Sequence, residues 1–245
     1  MTRPMPAFAF ALATLLAAPS LASPVHWTYE GAEGPAHWAE LDKDFAACGL
    51  GQQQSPIDLT DGVQADLPPL QPHWSASAEW TVTNNGHTVQ ASAKDAGTLT
   101  IDGVSYDLLQ FHFHHPSEHL VNGKPAPMEV HFVHRAANGS LAVVGVMLVG
   151  GGQPGPLDTL LAAAPATAGE APAGHLDPNA LMPKEGGYWR YAGSLTTPPC
   201  SEVVSWTVMH SPVQVSDAAI AAFSKLIPEN ARPVQQLHRR YLLSN

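Results

Sequence analysis

Positive charge is scarce in this chain. Its 245 residues include 11 lysines and arginines against 21 aspartates and glutamates, which gives a formal net charge of -10 at pH 7. No basic run offsets this deficit, which argues against nucleic-acid binding, because nucleic-acid-binding proteins contact phosphates with clustered Lys and Arg. The acidic residues are spread along the chain, so they favour solubility rather than indicate a partner.

Long apolar runs are also lacking. A membrane-spanning helix needs about 20 apolar residues, and the apolar stretches at 8–18 and 141–149 are shorter. The first follows Arg3 and precedes the small-residue sequence 20–22, a pattern typical of a secretory signal peptide. We therefore expect residues 1–22 to be cleaved. Residues 23–245, which contain no repeat or break in composition, should form one catalytic domain that is periplasmic or secreted.

Cysteine is limited to Cys48 and Cys200. In an exported chain this pair suggests one disulfide, with two buried free thiols as the alternative. The closed loop would exceed 100 residues, for which the chain-entropy model gives roughly 5 kcal/mol as an upper figure. The bridge would attach the turn at 196–199 to the N-terminal region.

Charged residues are only 13% of the chain, whereas Pro (23) and Gly (20) are frequent. This composition favours a strand protein rich in loops over a helical bundle. Periodicity and turn residues predict strands at 79–84, 87–91, 99–108, 109–114, 129–134, 141–149 and 203–210. Helices are predicted at 156–164 and 216–227, the second capped by Ser216, and 162–174 is predicted as an exposed loop.

Residues 109–114 (LQFHFH) alternate between apolar and polar side chains. With the two-residue period of a strand, one face carries Leu109, Phe111 and Phe113, and the other carries Gln110, His112 and His114. Positions two apart on a strand are about 7 Å apart, so both imidazoles can bind one metal ion.

A second strand at 129–134 supplies a third imidazole. Glu129, His131 and Val133 share one face, and His134 lies on the other, so His131 is the better ligand. A single His on a strand is usually structural, but three converging ones favour a metal. Three His leave one zinc position open, which is typical of a catalytic site. Gln110 and Glu129 each precede a ligand by two residues and could accept its outer N–H.

Four segments, in this order, resemble an alpha-class carbonic anhydrase of the secreted bacterial type: QFHFH (110–114), SEH (117–119), EVHFVH (129–134) and SLTTPP (194–199). Weaker matches extend from Trp27 to Arg232. The resemblance implies a mostly β single domain, α+β with few peripheral helices, around a large, twisted, mainly antiparallel central sheet. It also implies one Zn2+ bound by His112, His114 and His131, and reversible hydration of carbon dioxide to bicarbonate and a proton by zinc-hydroxide attack.

The resemblance assigns further roles. Thr196 would accept a hydrogen bond from the hydroxide and donate its own to Glu118, and His87 would carry the proton to solvent. The carbonyl of Asn230 would orient a ligand imidazole, and Ser55-Pro56 and Pro198-Pro199 would be cis. The remaining substrate-binding positions are an apolar wall together with the loop threonines: Val133, Val144, Leu195, Val204, Trp206, Thr196 and Thr197.

Two alternatives stay open. The same site could hydrolyse esters, which the resemblance implies as a weak side activity, or the chain could be a binding module, since some carbonic-anhydrase-like domains have lost their ligands. All three ligands persist here with Glu118, Thr196 and His87, which favours the enzyme. The expected partners are small substrates, carbon dioxide and bicarbonate, with no nucleic acid and no membrane insertion. Secreted bacterial members of the family are often homodimers.

Overall fold

The computed structural model describes residues 25–245, so the predicted signal peptide at 1–22 lies outside the described residues. No helix in the described part of the chain is long and apolar enough to cross a membrane. The helices are α1 (Trp38–Leu41), α2 (Ala47–Leu50), α3 (Pro156–Ala163) and α4 (Asp217–Leu226), with short 3-10 turns at Gly31–Glu33, Lys43–Phe45 and Pro178–Leu181.

Strands make up most of the regular structure. They are β1 (Asp58–Leu59), β2 (Val63–Gln64), β3 (Gln71–Trp74), β4 (Glu79–Asn84), β5 (Val89–Ser92), β6 (Gly97–Ile101), β7 (Val104–His114), β8 (Leu120–Val121), β9 (Lys124–Pro125), β10 (Met128–Ala136), β11 (Leu141–Val149), β12 (Gly169–His175), β13 (Tyr188–Gly193), β14 (Val204–Met209), β15 (Val213–Gln214) and β16 (Leu243–Ser244).

One sheet of 13 strands forms the centre of the protein. Its main order is β12-β4-β5-β7-β10-β11-β14-β13-β16-β2, with β15 beside β11, β6 beside β7 and β3 beside β6. Most neighbours are antiparallel, but β11 runs parallel to β14 and β15, and β16 runs parallel to β2. A small second sheet has the order β1-β8-β9. The predicted mostly β fold around a mainly antiparallel sheet is confirmed.

The central sheet is covered by apolar side chains on both faces. The larger cluster includes Phe111, Phe113 and Phe132 and packs under α3 and α4, whereas the smaller cluster contains Tyr191 and Trp206. Strand β11 lies between them as the buried strand that its continuous apolar run predicts. The polar face of β7 and β10 therefore meets the smaller cluster, away from the helices.

The two predicted helices are present. Helix α4 begins after Ser216, whose hydroxyl oxygen accepts the backbone N–H of Ala219 at 2.9 Å, and it ends before Pro228. Helix α3 begins at Pro156, and the backbone N–H of Gly155 donates to the carboxylate of Asp158 at 2.8 Å. The start and the end of α4 thus follow the N-cap and proline signals in the sequence.

The prediction of an exposed loop at 162–174 is wrong in part. Strand β12 occupies Gly169–His175 and pairs with β4 at the edge of the central sheet. Its side chains are mostly exposed, and its register shifts between Pro172 and Gly174. An edge strand with no buried face and an interrupting proline shows no alternation of apolar residues, so periodicity missed it.

The strict alternation predicted for residues 109–114 is also corrected at its first position. The register between β7 and β10 shifts, so that Gln110 faces Val133 while Leu108 faces His134, and Leu109 is the extra residue. Leu108 is buried in the larger cluster, whereas Leu109 is only half-buried. A β-bulge adds one residue without changing the faces further along, so the alternation holds from Gln110 onward.

The predicted disulfide between Cys48 and Cys200 is present. It joins α2 to the loop that follows β13, and it packs with Trp38 in a small third apolar cluster. The two cis bonds implied by the resemblance, Ser55-Pro56 and Pro198-Pro199, are present, and His115-Pro116 is a third that the sequence did not predict. The disulfide thus attaches the N-terminal region to the loop that carries Thr196.

Candidate active site

Three imidazoles converge on the polar face of β7 and β10. His112 and His131 are direct partners across the strand pair, and His114 lies one pleat further along β7. One ring nitrogen from each lies within 4.8 Å of the others. The centroids of the His114 and His131 rings are 4.5 Å apart, and those of His112 and His114 are 5.1 Å apart. The strand pairing thus produces a cluster that the two-residue period predicts.

Hydrogen bonds fix the orientation of two of the imidazoles, and a close carboxylate contact sets the orientation of the third. Nδ1 of His112 lies 2.8 Å from Oε1 of Gln110, and Nδ1 of His114 lies 2.8 Å from the carbonyl oxygen of Asn230. Both acceptors require a protonated Nδ1, so Nε2 of each ring is left as an electron-pair donor. His131 is reversed, because its Nε2 lies 2.9 Å from Oε1 of Glu129, which leaves Nδ1 free.

This donor set fits a zinc ion. Nε2 of His114 is buried and has no hydrogen-bond partner among the described residues, and such an atom is costly to leave unpaired. Burial, with the neighbouring His114 and His131, lowers the pKa of His112 well below its usual value, and burial also lowers the pKa of His114 although Glu118 opposes it. Both rings are therefore neutral, which is the form that binds metal.

Glu129 lies at the centre of a buried hydrogen-bonded chain behind His131. Its Oε2 accepts the backbone N–H groups of Glu118 and His119, and its Oε1 lies 2.8 Å from Nδ1 of His119. Nε2 of His119 lies 2.7 Å from the hydroxyl of Tyr191. Burial alone would raise the pKa of the Glu129 carboxyl, but His119 and His131 hold that pKa well below its usual value. Glu129 is thus a carboxylate that can accept both imidazole N–H groups.

The chain matches known proteins over nearly all of its described length. The family model described as eukaryotic-type carbonic anhydrase matches residues 33–245. The chain belongs to the alpha carbonic anhydrase family. The carbonic anhydrase of Klebsiella pneumoniae is 44% identical over 223 residues, which cover 89% of this chain and 90% of that protein.

Solved carbonic anhydrase structures share the fold. The alpha carbonic anhydrase of Thermovibrio ammonificans, in complex with the inhibitor sulfanilamide, has a TM-score of 0.86 and 41% identity, covering 90% of this chain and 100% of that one. The alpha carbonic anhydrase of Photobacterium profundum has a TM-score of 0.83 and 42% identity, covering 89% and 100%. Membership of this enzyme family assigns the chain the hydration of carbon dioxide.

Glu118 lies beside His114 and His131, but it does not form the predicted hydrogen bond with Thr196. Its Oε1 accepts the backbone N–H of Arg232 at 2.9 Å, and its Oε2 lies 3.5 Å from Nε2 of His114. Oε2 has no hydrogen-bond partner in the described part of the chain, so the hydrogen bond expected from Thr196 is not formed in this structure. Oε2 instead lies beside imidazole nitrogen atoms, with Nδ1 of His131 at 3.8 Å.

The loop that carries Thr196 is held at both ends. The backbone N–H of Ser55 donates to the hydroxyl of Ser194 at 2.9 Å, and the indole N–H of Trp206 donates to the Ser194 carbonyl at 2.9 Å. At the other end, the backbone N–H of Cys200 donates to the carbonyl of Thr197 at 2.9 Å. These contacts leave Thr196 buried and Thr197 half-buried in a loop with a fixed course.

The predicted apolar wall needs one correction. Val144 lies opposite Phe132 and belongs to the larger cluster, so it faces away from His131. Val143 lies opposite Val133 and beside Trp206, in the smaller cluster. Every position around Val144 in β11 is apolar, so the sequence offers no period that would separate its two faces. The wall on the histidine face is therefore made by Val133, Val143, Leu195, Val204 and Trp206.

His87 follows the turn at Asn85 and Gly86, where the side chain of Asn85 accepts the backbone N–H of His87 at 2.9 Å. Its imidazole is half-buried and stacks on Trp27, with ring centroids 3.9 Å apart. It lines a cavity of about 370 Å³ together with Tyr29 and Asn230. Burial, followed by the nearby His26, lowers the pKa of His87. The ring is therefore neutral at neutral pH and can accept a proton.

Proposed function

We propose that this enzyme hydrates carbon dioxide with a zinc ion held by Nε2 of His112, Nε2 of His114 and Nδ1 of His131. The observation that carries the proposal is the convergence of three imidazoles, each of which has an acceptor oxygen within 2.9 Å of its outer nitrogen atom. When bound, zinc supplies a water with a pKa near 7, a value for which carbonic anhydrase is itself the standard example. Gln110, Glu129 and the Asn230 carbonyl hold the rings in the ligating orientation.

The surroundings suit carbon dioxide, which is small and apolar. The side chains of Val133, Val143 and Trp206 lie on the histidine face, and an apolar wall excludes the water that would compete for this space. Thr196 and Thr197 follow this wall in the loop, where a hydroxyl can orient the attacking water. Weak ester hydrolysis is the second reaction that the same arrangement would support.

Export is part of the proposal. The sequence pattern at residues 1–22 favours a cleaved signal peptide, and a Cys48–Cys200 bridge persists in an oxidising compartment such as the periplasm. We propose a periplasmic or secreted enzyme whose partners are carbon dioxide and bicarbonate.

Stopped-flow carbon dioxide hydration, with metal analysis of the same purified sample, tests this function. We expect one zinc per chain and hydration that is lost when a chelator removes the metal and restored when zinc is added. Ester turnover without carbon dioxide hydration would identify a different hydrolase, and a protein with neither zinc nor activity would identify a binding module.

Proton release gives a separate prediction at His87. A group of pKa about 7 that releases its proton directly to water is limited to about 10³ s⁻¹, the product of an acid constant of about 10⁻⁷ M and a recombination rate of about 10¹⁰ M⁻¹s⁻¹. A side-chain acceptor removes this limit. We expect His87→Ala to lower kcat in dilute buffer and to leave kcat/KM nearly unchanged, because hydration itself does not use this side chain.

Concentrated imidazole should restore much of the kcat lost in this variant. The exposed His73 on β3, a strand that among the described residues pairs only with β6, provides a control, since His73→Ala should leave both constants unchanged. If kcat/KM of His87→Ala falls together with kcat, or imidazole restores nothing, His87 is a structural turn residue.

A further inference from the structure

Arg232 is buried, and its guanidinium forms no salt bridge with any of residues 25–245, although the charge of Glu118 lies close enough to favour its protonated form. Its side chain is among the largest fully buried ones, with 2% exposure, and it lies under the ring of Trp38 at 5.6 Å. Nη1 donates to Oε1 of Gln54 at 2.9 Å and to the carbonyl of Ser55 at 2.8 Å, and Nη2 donates to the carbonyl of Cys48 at 2.9 Å. Burial lowers its pKa to about 10, so it remains a cation at neutral pH. Burying a cation against neutral acceptors is costly, which suggests a specific task.

The backbone around Arg232 supplies hydrogen bonds to the histidine cluster. The carbonyl of Asn230 accepts from Nδ1 of His114 at 2.8 Å, and the backbone N–H of Arg232 donates to Oε1 of Glu118 at 2.9 Å. Residues 228–237 belong to neither helix nor strand. No ladder of backbone hydrogen bonds therefore fixes this segment. Asn230 is held at one end by its own hydrogen bonds to the backbone of His115, Phe113 and His87, and Arg232 is held at the other end through its guanidinium.

The acceptors of Arg232 belong to the structure that holds the Thr196 loop. Gln54 also donates from Nε2 to the carbonyl of Cys200 at 3.0 Å, and Cys200 is bridged to Cys48. One planar guanidinium with fixed donor directions thus connects the segment behind His114 to the base of the loop. The ammonium group of a lysine, whose N–H donors all share one nitrogen atom, could not reach the same three acceptors at once.

We infer that Arg232 is a positioning residue, whose guanidinium clamps residues 230–232 to residues 48–55. Together with the hydrogen bonds of Asn230 itself, this clamp keeps the Asn230 carbonyl on His114 and the Arg232 N–H on Glu118. The inference rests on the proposed zinc site. It assigns Arg232 an effect on metal retention that is separate from its effect on folding stability.

The test compares two variants. Arg232→Lys keeps the positive charge but loses the planar set of guanidinium donors. Leu160→Ala truncates a buried side chain of α3, outside this segment. Zinc-loaded proteins are mixed with excess chelator, and the release of zinc is followed. We expect Arg232→Lys to release zinc about 10- to 100-fold faster, if the affinity usually lost with the support of a ligand is lost through faster release. Leu160→Ala should lose thermal stability but release zinc at the wild-type rate.

A second readout needs no metal. Nitrogen-15 NMR of metal-free wild-type protein should show His114 as the Nδ1–H tautomer, fixed by the Asn230 carbonyl, and Arg232→Lys should show a mixture of tautomers. If Arg232→Lys does not fold, Gln54→Leu removes one acceptor and should shift both readouts in the same direction by a smaller factor.

Wild-type zinc release with an unchanged His114 tautomer, in whichever variant folds, would overturn the inference and leave Arg232 a purely structural residue. If the wild-type protein binds no zinc, the proposed function fails instead, and the tautomer measurement alone decides whether Arg232 fixes His114.

Discussion

Replacing His114 by alanine is expected to remove most of the zinc and nearly all of the hydration activity, while a soluble fold remains. His114 is buried, its Nδ1 is held by the Asn230 carbonyl, and its Nε2 has no hydrogen-bond partner in residues 25–245. Two remaining imidazoles are too few for a site that needs three protein ligands and one open position. The measurement is zinc content by elemental analysis together with stopped-flow hydration on the same preparation.

His134 supplies the matched control for this variant. It is also a buried histidine of β10, but it lies on the opposite face, where its Nε2 accepts the indole N–H of Trp74 at 3.0 Å. We expect His134→Gln to lower thermal stability and to keep one zinc per chain. Wild-type activity with a full complement of zinc in His114→Ala would contradict the assignment of the three ligands.

The sequence predicts the histidine cluster well because one face of each strand differs in chemistry from the other. From Gln110 to His114 the polar and apolar side chains alternate, and Glu129 and His131 repeat this on β10. A period of two then assigns faces without any knowledge of the partner strand. The disulfide is predictable for a simpler reason, since two cysteines allow only one intramolecular pair.

Prediction from the sequence fails where the two faces of a strand do not differ in chemistry. Strand β11 is apolar on both faces, so Val143 and Val144 cannot be told apart until the register with β10 is known. The bulge at Leu109 and the edge strand β12 depend on which strands pair, and that is a tertiary property. The sequence shows that a site exists, whereas strand pairing decides which neighbours line it.

The contacts of Arg232 are even harder to predict from the sequence. They join carbonyl and amide groups of residues 48, 54 and 55, which are more than 170 positions away along the chain. Backbone carbonyls carry no sequence signal, because every residue has one. The segment behind His114 is therefore fixed by groups that only the folded chain brings together.

Thr196→Ala is expected to keep zinc but to lower hydration by about 10²-fold, the scale for losing one positioned group in the transition state. A hydroxyl can donate only one hydrogen bond, so a carboxylate that takes this proton leaves the Thr196 oxygen as an acceptor toward the attacking water. Glu118 is the only carboxylate of residues 25–245 that the structure places beside both His114 and His131, and its buried Oε2 is free to accept. In this structure the two side chains form no hydrogen bond, so the prediction requires that this bond forms in the zinc-loaded enzyme.

Three variants test this pair of residues in the same hydration assay. Glu118→Gln should lower hydration about as much as Thr196→Ala, because an amide can donate and no longer enforces one direction. Thr196→Ser keeps the hydroxyl and should retain most of the activity. The double variant should be little worse than either single one, since removing one member already disables a unit that acts together. Additive losses would mean that Thr196 and Glu118 act independently, and a near-wild-type rate in zinc-loaded Thr196→Ala would mean that another group orients the attacking water.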